Sequence, residues 1–273
     1  MTKTNLTVKN KEKKTPPPLL LSGLVVAHNE EQHLDACLST LKFCDEIVIV
    51  LDKCTDDSEK IAKKFTPHTK IFSGEWESEG ARRNFGREKC QGKWIIELDC
   101  DERIPAPLQQ EIIAAAQQFD DGYFVIPFDN YIGTRRVRHG GGASWGVAAA
   151  ARLSRNHTKK WGGERVHPSL TLLGPKRFLK NRILHYVDAD IGEMIDRFNR
   201  YTQARSLDLF YDESKKTSYF RDFRRIFTRF IKCYIFRKGY REGGIGFLNA
   251  CFAGLYPIVS HIRADFLKQQ NKK

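Results

Sequence analysis

Four short apolar runs within the first hundred residues constrain the fold of this 273-residue chain more than any other feature. They occupy residues 19–27, 46–51, 70–72 and 93–98, and segments with helical spacing separate them. Consecutive apolar residues over so few positions are typical of strands that are buried on both faces. Because strands and helices alternate through short connections, the sequence predicts an α/β protein whose mostly parallel sheet carries helices on both faces.

The fourth run ends in acidic residues. Asp99 and Asp101 follow it one residue apart, and Glu102 comes next. Carboxylates at the end of a buried strand are costly unless something neutralises them, and such oxygen ligands suit Mg²⁺ or Mn²⁺. A solvated acidic turn is the alternative, since short motifs often arise by chance. Glu30 and Asp52 also follow apolar runs, and the carboxyl ends of parallel strands share one edge, so we expect a single ligand site there.

The charge balance favours anionic partners. The chain has 46 lysine and arginine residues against 33 aspartate and glutamate residues, which gives a formal net charge of +13. Nucleic acid, phosphorylated small molecules and an acidic membrane surface all suit this charge, but no recognised nucleic-acid motif supports the first. The seven cysteines form no Cys-x-x-Cys pair, so we expect reduced thiols in a cytoplasmic protein. Residues 1–17 are polar and lysine-rich, and we expect a flexible basic tail.

Basic and aromatic residues alternate in the last quarter of the chain. Phe223, Phe227, Phe230 and Tyr234 have helical spacing, and arginines and lysines lie between them. This pattern predicts amphipathic helices in residues 211–273 that lie on an anionic membrane surface. Helices packed on the catalytic domain with a solvated basic face would give the same pattern. No run of about twenty apolar residues is present and Pro257 interrupts the stretch 247–262, so we expect no membrane span.

Several motifs occur in the order found in family 2 glycosyltransferases with the GT-A fold. They are the segments 25–31, 45–52, 55–58, 83–86 and 98–102, followed by Arg152-Leu153 and residues 183–186. Ordered motifs are far more specific than any one of them. Over roughly residues 20–210 the chain resembles this family, and most closely its bacterial lipopolysaccharide core glucosyltransferase branch. The resemblance implies a Rossmann-like GT-A domain at 18–210, a nucleotide-sugar donor, a divalent cation and inversion at the anomeric carbon.

The resemblance also implies roles for individual residues. Asp101 would hold the Mg²⁺ or Mn²⁺ ion, with Asp99 as a second metal contact close to the ribose or to a metal-bound water. Such an ion would stabilise the negative charge that builds on the leaving diphosphate.

Four further residues match the nucleotide-sugar contacts of the family. Asp52 would bind the nucleobase, although it could instead cap the next helix. Ala27 and Glu30 match contacts at the first strand, and Glu30 could equally complement a helix N-terminus. Arg83 would contact the donor phosphates, a role that suits arginine, and a surface ion pair is its alternative.

The catalytic base is where the sequence departs from the family. Relatives carry an aspartate where this chain has Ala148, and a Val-His-Glu motif where it has Val-His-Pro. Glu164, His167 and His139 are therefore the candidate bases, although lone histidines are more often structural.

The sequence predicts an inverting, metal-dependent hexosyltransferase that works on the inner face of the cytoplasmic membrane. It would move a hexose, expected to be glucose, from a UDP-sugar to a glycolipid acceptor in the lipopolysaccharide inner core. Transfer to another surface glycan is one alternative. A catalytically silent glycolipid-binding relative is another, and Ala148 is the reason to consider it.

Overall fold

A mixed sheet forms the centre of the protein. The computed structural model describes residues 19–66, 69–140, 148–163, 168–211 and 218–271. Its strands are β1 Leu21–Ala27, β2 Glu46–Asp52, β3 Thr69–Gly74, β4 Trp94–Leu98, β5 Glu102–Arg103, β6 Tyr123–Ile132, β7 Arg135–Val137, β8 Ala149–Arg155, β9 Lys159–Trp161, β10 Leu170–Leu172, β11 Lys176–Phe178 and β12 Ile183–Asp188. Its α-helices are α1 Glu31–Ser39, α2 Ser58–Lys63, α3 Glu79–Lys89, α4 Ala106–Gln118, α5 Ile191–Tyr211, α6 Tyr219–Ile231 and α7 Gly243–Gln270.

The strand order explains how the parallel and antiparallel parts meet. The main path runs β3-β2-β1-β4-β8-β6-β12-β5, and β7 and β11 also pair with β6. Strands β3, β2, β1 and β4 are parallel, as predicted. Strand β8 is antiparallel to both β4 and β6, so the sheet becomes mixed beyond β4. The carboxyl end of β4 therefore lies beside strands that come much later in the chain.

The apolar runs are buried on both faces because successive side chains point to opposite sides. On one face, Ile47, Ile49 and Leu51 of β2 join the largest core cluster, which also contains residues of α1, α2 and α4. On the other face, Val48 and Val50 pack in a second cluster with Phe85 of α3. This arrangement confirms that helices cover both faces of the parallel half.

The C-terminal helices pack on one another and on the end of β6. Helix α7 packs on both α5 and α6. A third apolar cluster joins Ile132 of β6, Val137 of β7 and Met194 of α5, with side chains of α7 packed against it. A π-helical turn, Lys232–Phe236, and a 3₁₀ turn, Gly239–Glu242, connect α6 to α7. These contacts attach the helical region to the sheet next to the β6–β7 hairpin.

The two sequence arguments against a membrane span do not hold in the structure. Pro257 lies inside α7 without ending it, and the helix continues to Gln270. The helical stretch Gly239–Gln270 has 32 residues and a mean hydropathy of 1.4 in its most apolar window, so by length and composition alone it could cross a membrane. In the structure, 39% of that window is buried against the rest of the protein.

Candidate donor and metal site

Asp99 lies at the carboxyl end of β4, between two arginines. Its Oδ1 accepts a hydrogen bond of 2.6 Å from Arg83 Nη2 of α3, and its Oδ2 pairs with Arg152 Nη2 of β8. Burial alone would raise the pKa of Asp99, but Arg152 and Arg83 outweigh it and hold that pKa well below its ordinary value. Both carboxylate oxygens are therefore occupied, and Asp99 is held as an anion.

Glu102 shares the guanidinium of Arg152. The Glu102 side chain is fully buried, its Oε1 pairs with Arg152 Nη2, and its Oε2 accepts the Asp99 backbone N–H at 3.2 Å. Burial raises the pKa of Glu102 to about 7; Arg152 opposes this increase, and the charges of Asp99 and Asp101 add to it. Arg152 thus pairs with both Asp99 and Glu102, and its charge does not offset the effect of burial on the pKa of Glu102.

Asp101, which lies beside His185, carries a carboxylate oxygen that could bind a ligand. Asp101 Oδ2 lies 3.2 Å from His185 Nε2, whereas Asp101 Oδ1 is buried and has no hydrogen-bond partner among the described residues. The other imidazole nitrogen, His185 Nδ1, lies 2.9 Å from Asn130 Oδ1 on the neighbouring strand. Burial lowers the pKa of His185, but the hydrogen bond and the charge of Asp101 raise it by more.

These groups fit a divalent cation. One ligand atom from each of Asp101, Glu102 and His185 lies within 4.8 Å of the others. The neutral imidazole that donates its Nδ1–H to Asn130 would carry a lone pair on Nε2, as a metal-binding histidine needs, and the proton that Nε2 shares with Asp101 would leave when the ion binds. Because the oxygens of Glu102 already have partners, Asp101 and His185 are the groups best placed to hold the ion. The pair of metal contacts expected from the sequence was Asp101 and Asp99.

Glu30 faces the same acidic group from the end of β1. Its backbone N–H donates to Ser58 Oγ at 3.0 Å. Burial raises the pKa of Glu30 to about 7, and the charges of Asp101 and Asp99 contribute in the same direction. The turn after β1 thus brings Glu30 to the acids of β4. Ala27, the other predicted contact at this strand, is buried, and its carbonyl lies 3.6 Å from Cys54 Sγ.

Asp52 is the last residue of β2, and its side-chain contacts are separate from those of Asp99 and Asp101. Its Oδ2 pairs with Arg82 Nη1 at 2.9 Å, and its Oδ1 accepts the Trp76 backbone N–H at 3.1 Å. The alternative role, as the cap of the next helix, is wrong, because the N-cap residue of α2 is Asp57. Asp52 therefore fixes the chain after β3 and the start of α3 against the end of β2.

Arg83 is a buried arginine and not a surface ion pair. Besides Asp99, it bonds Glu79 Oε1 through Nε at 2.9 Å, and its guanidinium lies 5.0 Å from the Trp161 ring centroid. Asn84 holds the Trp161 backbone with two hydrogen bonds of 2.8 and 2.9 Å. Strand β9 and helix α3 thus fix the arginine beside the carboxylate.

Of the three candidate bases, only His139 lies within the described residues, since Glu164 and His167 fall outside them. His139 follows β7, and its backbone N–H donates to Glu242 Oε1 at 2.9 Å. Ala148 is exposed just before β8, where its carbonyl accepts the Phe128 N–H at 3.0 Å.

The family follows from a match of residues 22–173, more than half of the chain, to the model of glycosyl transferase family 2. The chain belongs to this family. It is a glycosyltransferase with a Rossmann-like GT-A fold, as the motif order predicted.

Two relatives of similar length are also named as glycosyltransferases. An uncharacterized glycosyltransferase of Rickettsia typhi is 25% identical over 267 residues, covering 93% of this chain and 88% of that protein. The lipopolysaccharide core biosynthesis glycosyltransferase LpsC of Rhizobium meliloti is 24% identical over 263 residues, covering 89% of this chain and 91% of that protein. The crystal structure of residues 1–349 of S. aureus TarS in complex with UDP aligns with a TM-score of 0.48 and 14% identity, over 92% of this chain and 91% of that chain.

Four residues of the site received no role from the sequence. They are Glu102, Asn130, Arg152 and His185. Glu102, Arg152 and His185 belong to ordered motifs of the family, which was the one available signal. The partners of Arg152 and His185 lie on strands that become neighbours only in the mixed half of the sheet.

Proposed function

We propose that this glycosyltransferase uses Mg²⁺ or Mn²⁺ to move a hexose, expected to be glucose, from a UDP-sugar with inversion. The acceptor would be a membrane glycolipid, in the first instance the lipopolysaccharide inner core, at the inner face of the cytoplasmic membrane. The observation that carries the cation requirement is Asp101 Oδ1 beside His185, which is buried and has no hydrogen-bond partner in the part of the chain that the structure describes. A bound cation there would stabilise the negative charge of the departing diphosphate.

The residues around the cation have separate tasks. Asp101 and His185 would hold the ion, and Asn130 would orient the imidazole. Arg83 and Arg152 keep Asp99 ionised and in place. We propose that Asp52 and Ala27, at the ends of β2 and β1, contact the nucleoside, because ligand crevices of such sheets lie beyond the carboxyl ends of the strands.

Glycolipid transfer requires work at a membrane, and α6 offers a surface for it. Phe220, Phe223, Phe227 and Ile231 recur at helical spacing and are 44–81% exposed, and Arg224 lies in the same stripe. Exposed apolar patches of this kind mark interaction sites, and the arginines suit anionic headgroups. The relative named for lipopolysaccharide core biosynthesis supports this choice of acceptor. We therefore assign residues 18–210 to catalysis and 211–273 to membrane contact.

Sugar-nucleotide hydrolysis tests the catalytic part of the proposal. The wild type should hydrolyse UDP-glucose only with Mg²⁺ or Mn²⁺, and Asp101→Asn should reduce the rate at least about 100-fold, or about 2.7 kcal/mol. Asp121→Asn, an exposed acid that pairs with Arg177, is the matched control and should retain the rate. Metal-independent hydrolysis would refute the role of the cation. A screen of sugar nucleotides in the same assay would identify the donor.

A silent glycolipid-binding protein is the second candidate, because Ala148 replaces an expected acid. Cation-dependent UDP binding without turnover of any sugar nucleotide would support that function and reject the transferase.

Vesicle flotation tests the membrane contact. Phosphatidylcholine vesicles with phosphatidylglycerol should bind the protein, and Phe223→Ser/Phe227→Ser should weaken binding at least about tenfold, since burial of each ring contributes about 1.5–3 kcal/mol. Phe178→Ser removes another exposed ring, on β11 and away from α6, and serves as the control. Equal flotation of the three proteins would reject α6 as the contact surface.

A further inference from the structure

Glu242 joins the C-terminal helices to the β6–β7 hairpin. It ends the 3₁₀ turn before α7, and its side chain is only 7% exposed. Its Oε1 accepts the backbone N–H groups of Arg138 and His139 at 2.8 and 2.9 Å, and its Oε2 lies 3.4 Å from Arg135 Nη2. Hydrogen bonds to an ionised acceptor are stronger than neutral ones, so this contact fixes the end of β7 and the residues after it.

The backbone around Glu242 is shaped for this contact. The Gly140 N–H donates to the Arg237 carbonyl at 2.7 Å, and Cys233 Sγ lies 2.9 Å from the Gly140 carbonyl oxygen. A Cβ on Gly246 would lie 1.9 Å from the Gly239 carbonyl oxygen, so α7 can approach the 3₁₀ turn closely only with glycine there. The junction between α6 and α7 therefore holds residues 138–140 through the Glu242 side chain and through the contacts of Gly140 with Arg237 and Cys233.

The β6–β7 hairpin, which Glu242 contacts, lies next to the strand that carries His185 of the candidate cation site. Val137 of β7 pairs in register with Asn130 of β6, and Asn130 pairs on its other side with His185 of β12. Asn130 Oδ1 also lies 2.9 Å from His185 Nδ1, and this hydrogen bond orients the imidazole ring. Val137 and Ile132 pack against α7 through Ile245, Leu248 and Phe252. One pair of strands thus separates the helices from the histidine that faces Asp101.

We propose that Glu242 is a positioning residue for the cation site. By fixing the hairpin to the C-terminal helices, it sets the position of Asn130, and Asn130 sets the ring orientation of His185. Groups that orient a metal ligand typically change metal affinity 10- to 100-fold when they are lost. Glu242 acts on Asn130 only through the β6–β7 hairpin, so its loss should weaken affinity less, by about three- to tenfold. The role rests on the proposed cation site, but it does not depend on the identity of donor or acceptor.

The test is the affinity of the full chain for Mn²⁺ alone, measured by titration calorimetry without nucleotide. Glu242→Gln should bind Mn²⁺ about three- to tenfold more weakly than the wild type. Asp222→Asn is the matched control: it removes another buried carboxylate, which joins α6 to α7 through His261 Nδ1 at 3.0 Å. Both variants should lower the melting temperature, but Asp222→Asn should retain Mn²⁺ affinity. Equal Mn²⁺ affinity in the wild type and Glu242→Gln, or an equal loss in both variants, would overturn the proposal.

Two further measurements keep the test decisive. If Glu242 acts through Asn130, Glu242→Gln should weaken binding no further in an Asn130→Ala background, whereas additive losses would contradict the path. Should Glu242→Gln fail to fold, Glu242→Asp keeps the charge and should bind Mn²⁺ with intermediate affinity; wild-type affinity in that variant would overturn the role.

Two other results separate the cation site from the proposed function. If Asp101→Asn binds Mn²⁺ as tightly as the wild type, the cation does not bind at Asp101 and the proposal fails with its site. If the wild type binds Mn²⁺ as expected but turns over no sugar nucleotide, only the proposed function is refuted.

Discussion

Replacing Glu102 by glutamine should remove a pH-dependent loss of stability from the protein. Glu102 has a pKa of about 7 in the folded state against an ordinary value of 4.5, because burial outweighs Arg152. Below pH 4.5 the group is protonated in both states and contributes nothing. Between pH 4.5 and 7 the folded state binds more protons than the unfolded state, so stability falls as pH rises. At 1.36 kcal/mol per pKa unit, the full penalty is about 3 kcal/mol, and about 2–3 kcal/mol of it develops between pH 5 and pH 8.

The assay is urea unfolding of the wild type and Glu102→Gln at pH 5, 6, 7 and 8 with EDTA present. The difference in unfolding free energy between the two proteins should change by about 2–3 kcal/mol in favour of the variant across this range. Glu30, whose pKa is also raised to about 7, titrates in both proteins and therefore cancels in the comparison. Parallel stability curves for the two proteins would show that Glu102 is ionised at neutral pH in the folded state, and the reasoning from burial would be wrong.

Three further predictions concern the core. Gly86→Ala should lower stability by about 1–3 kcal/mol in thermal unfolding, because the new Cβ would lie 2.6 Å from Leu24 Cδ1; an unchanged melting temperature would contradict this. Burial raises the pKa of the Cys90 thiol to about 12, so a thiol reagent at pH 8 should modify it only after urea is added. Burial opposes ionisation of Glu97, but Lys159 helps to lower its pKa to about 2, so the wild type should lose about 3 kcal/mol between pH 4.5 and 2. Glu97→Gln should lack this acid-dependent loss, and an identical acid transition in both proteins would reject it.

The parallel half of the fold could be predicted because its strands carry their own signal. Residues 46–51 are apolar at nearly every position, and a strand of that kind must be covered on both faces. The mixed half lacks such a signal. Strands β9 to β11 have three residues each and are partly exposed, so local composition does not distinguish them from loops. Pro257 misled for a related reason: tertiary packing on α5 and α6 stabilises α7 despite the proline.

The same limit applies to the site. The positions of Asp99 and Asp101 at the carboxyl end of a buried strand could be predicted, because both closely follow the apolar residues of β4 and position along the chain then gives position in space. His185 lies 84 residues after Asp101, and the two meet only because β12 pairs with β5, which directly follows Asp101. A strand pairing across that distance leaves no mark in residue spacing. His185, the proposed ligand beside the acidic motif, was therefore available from the family motif but not from the local pattern.

The charges of the site give a physical reason why a cation belongs there. Four carboxylates, on Glu30, Asp99, Asp101 and Glu102, face two arginines, and both arginines pair with Asp99. Arg152 pairs with Glu102 as well, but burial first, and the charges of Asp99 and Asp101 second, raise the pKa of both glutamates to about 7. Near neutral pH, protons on Glu30 and Glu102 thus neutralise part of the negative charge that Arg83 and Arg152 leave uncompensated. A divalent cation beside Asp101 would supply positive charge at Oδ1, which has no hydrogen-bond partner among the described residues. Such a cation could also bind a diphosphate, whereas a proton on a buried carboxylate could not.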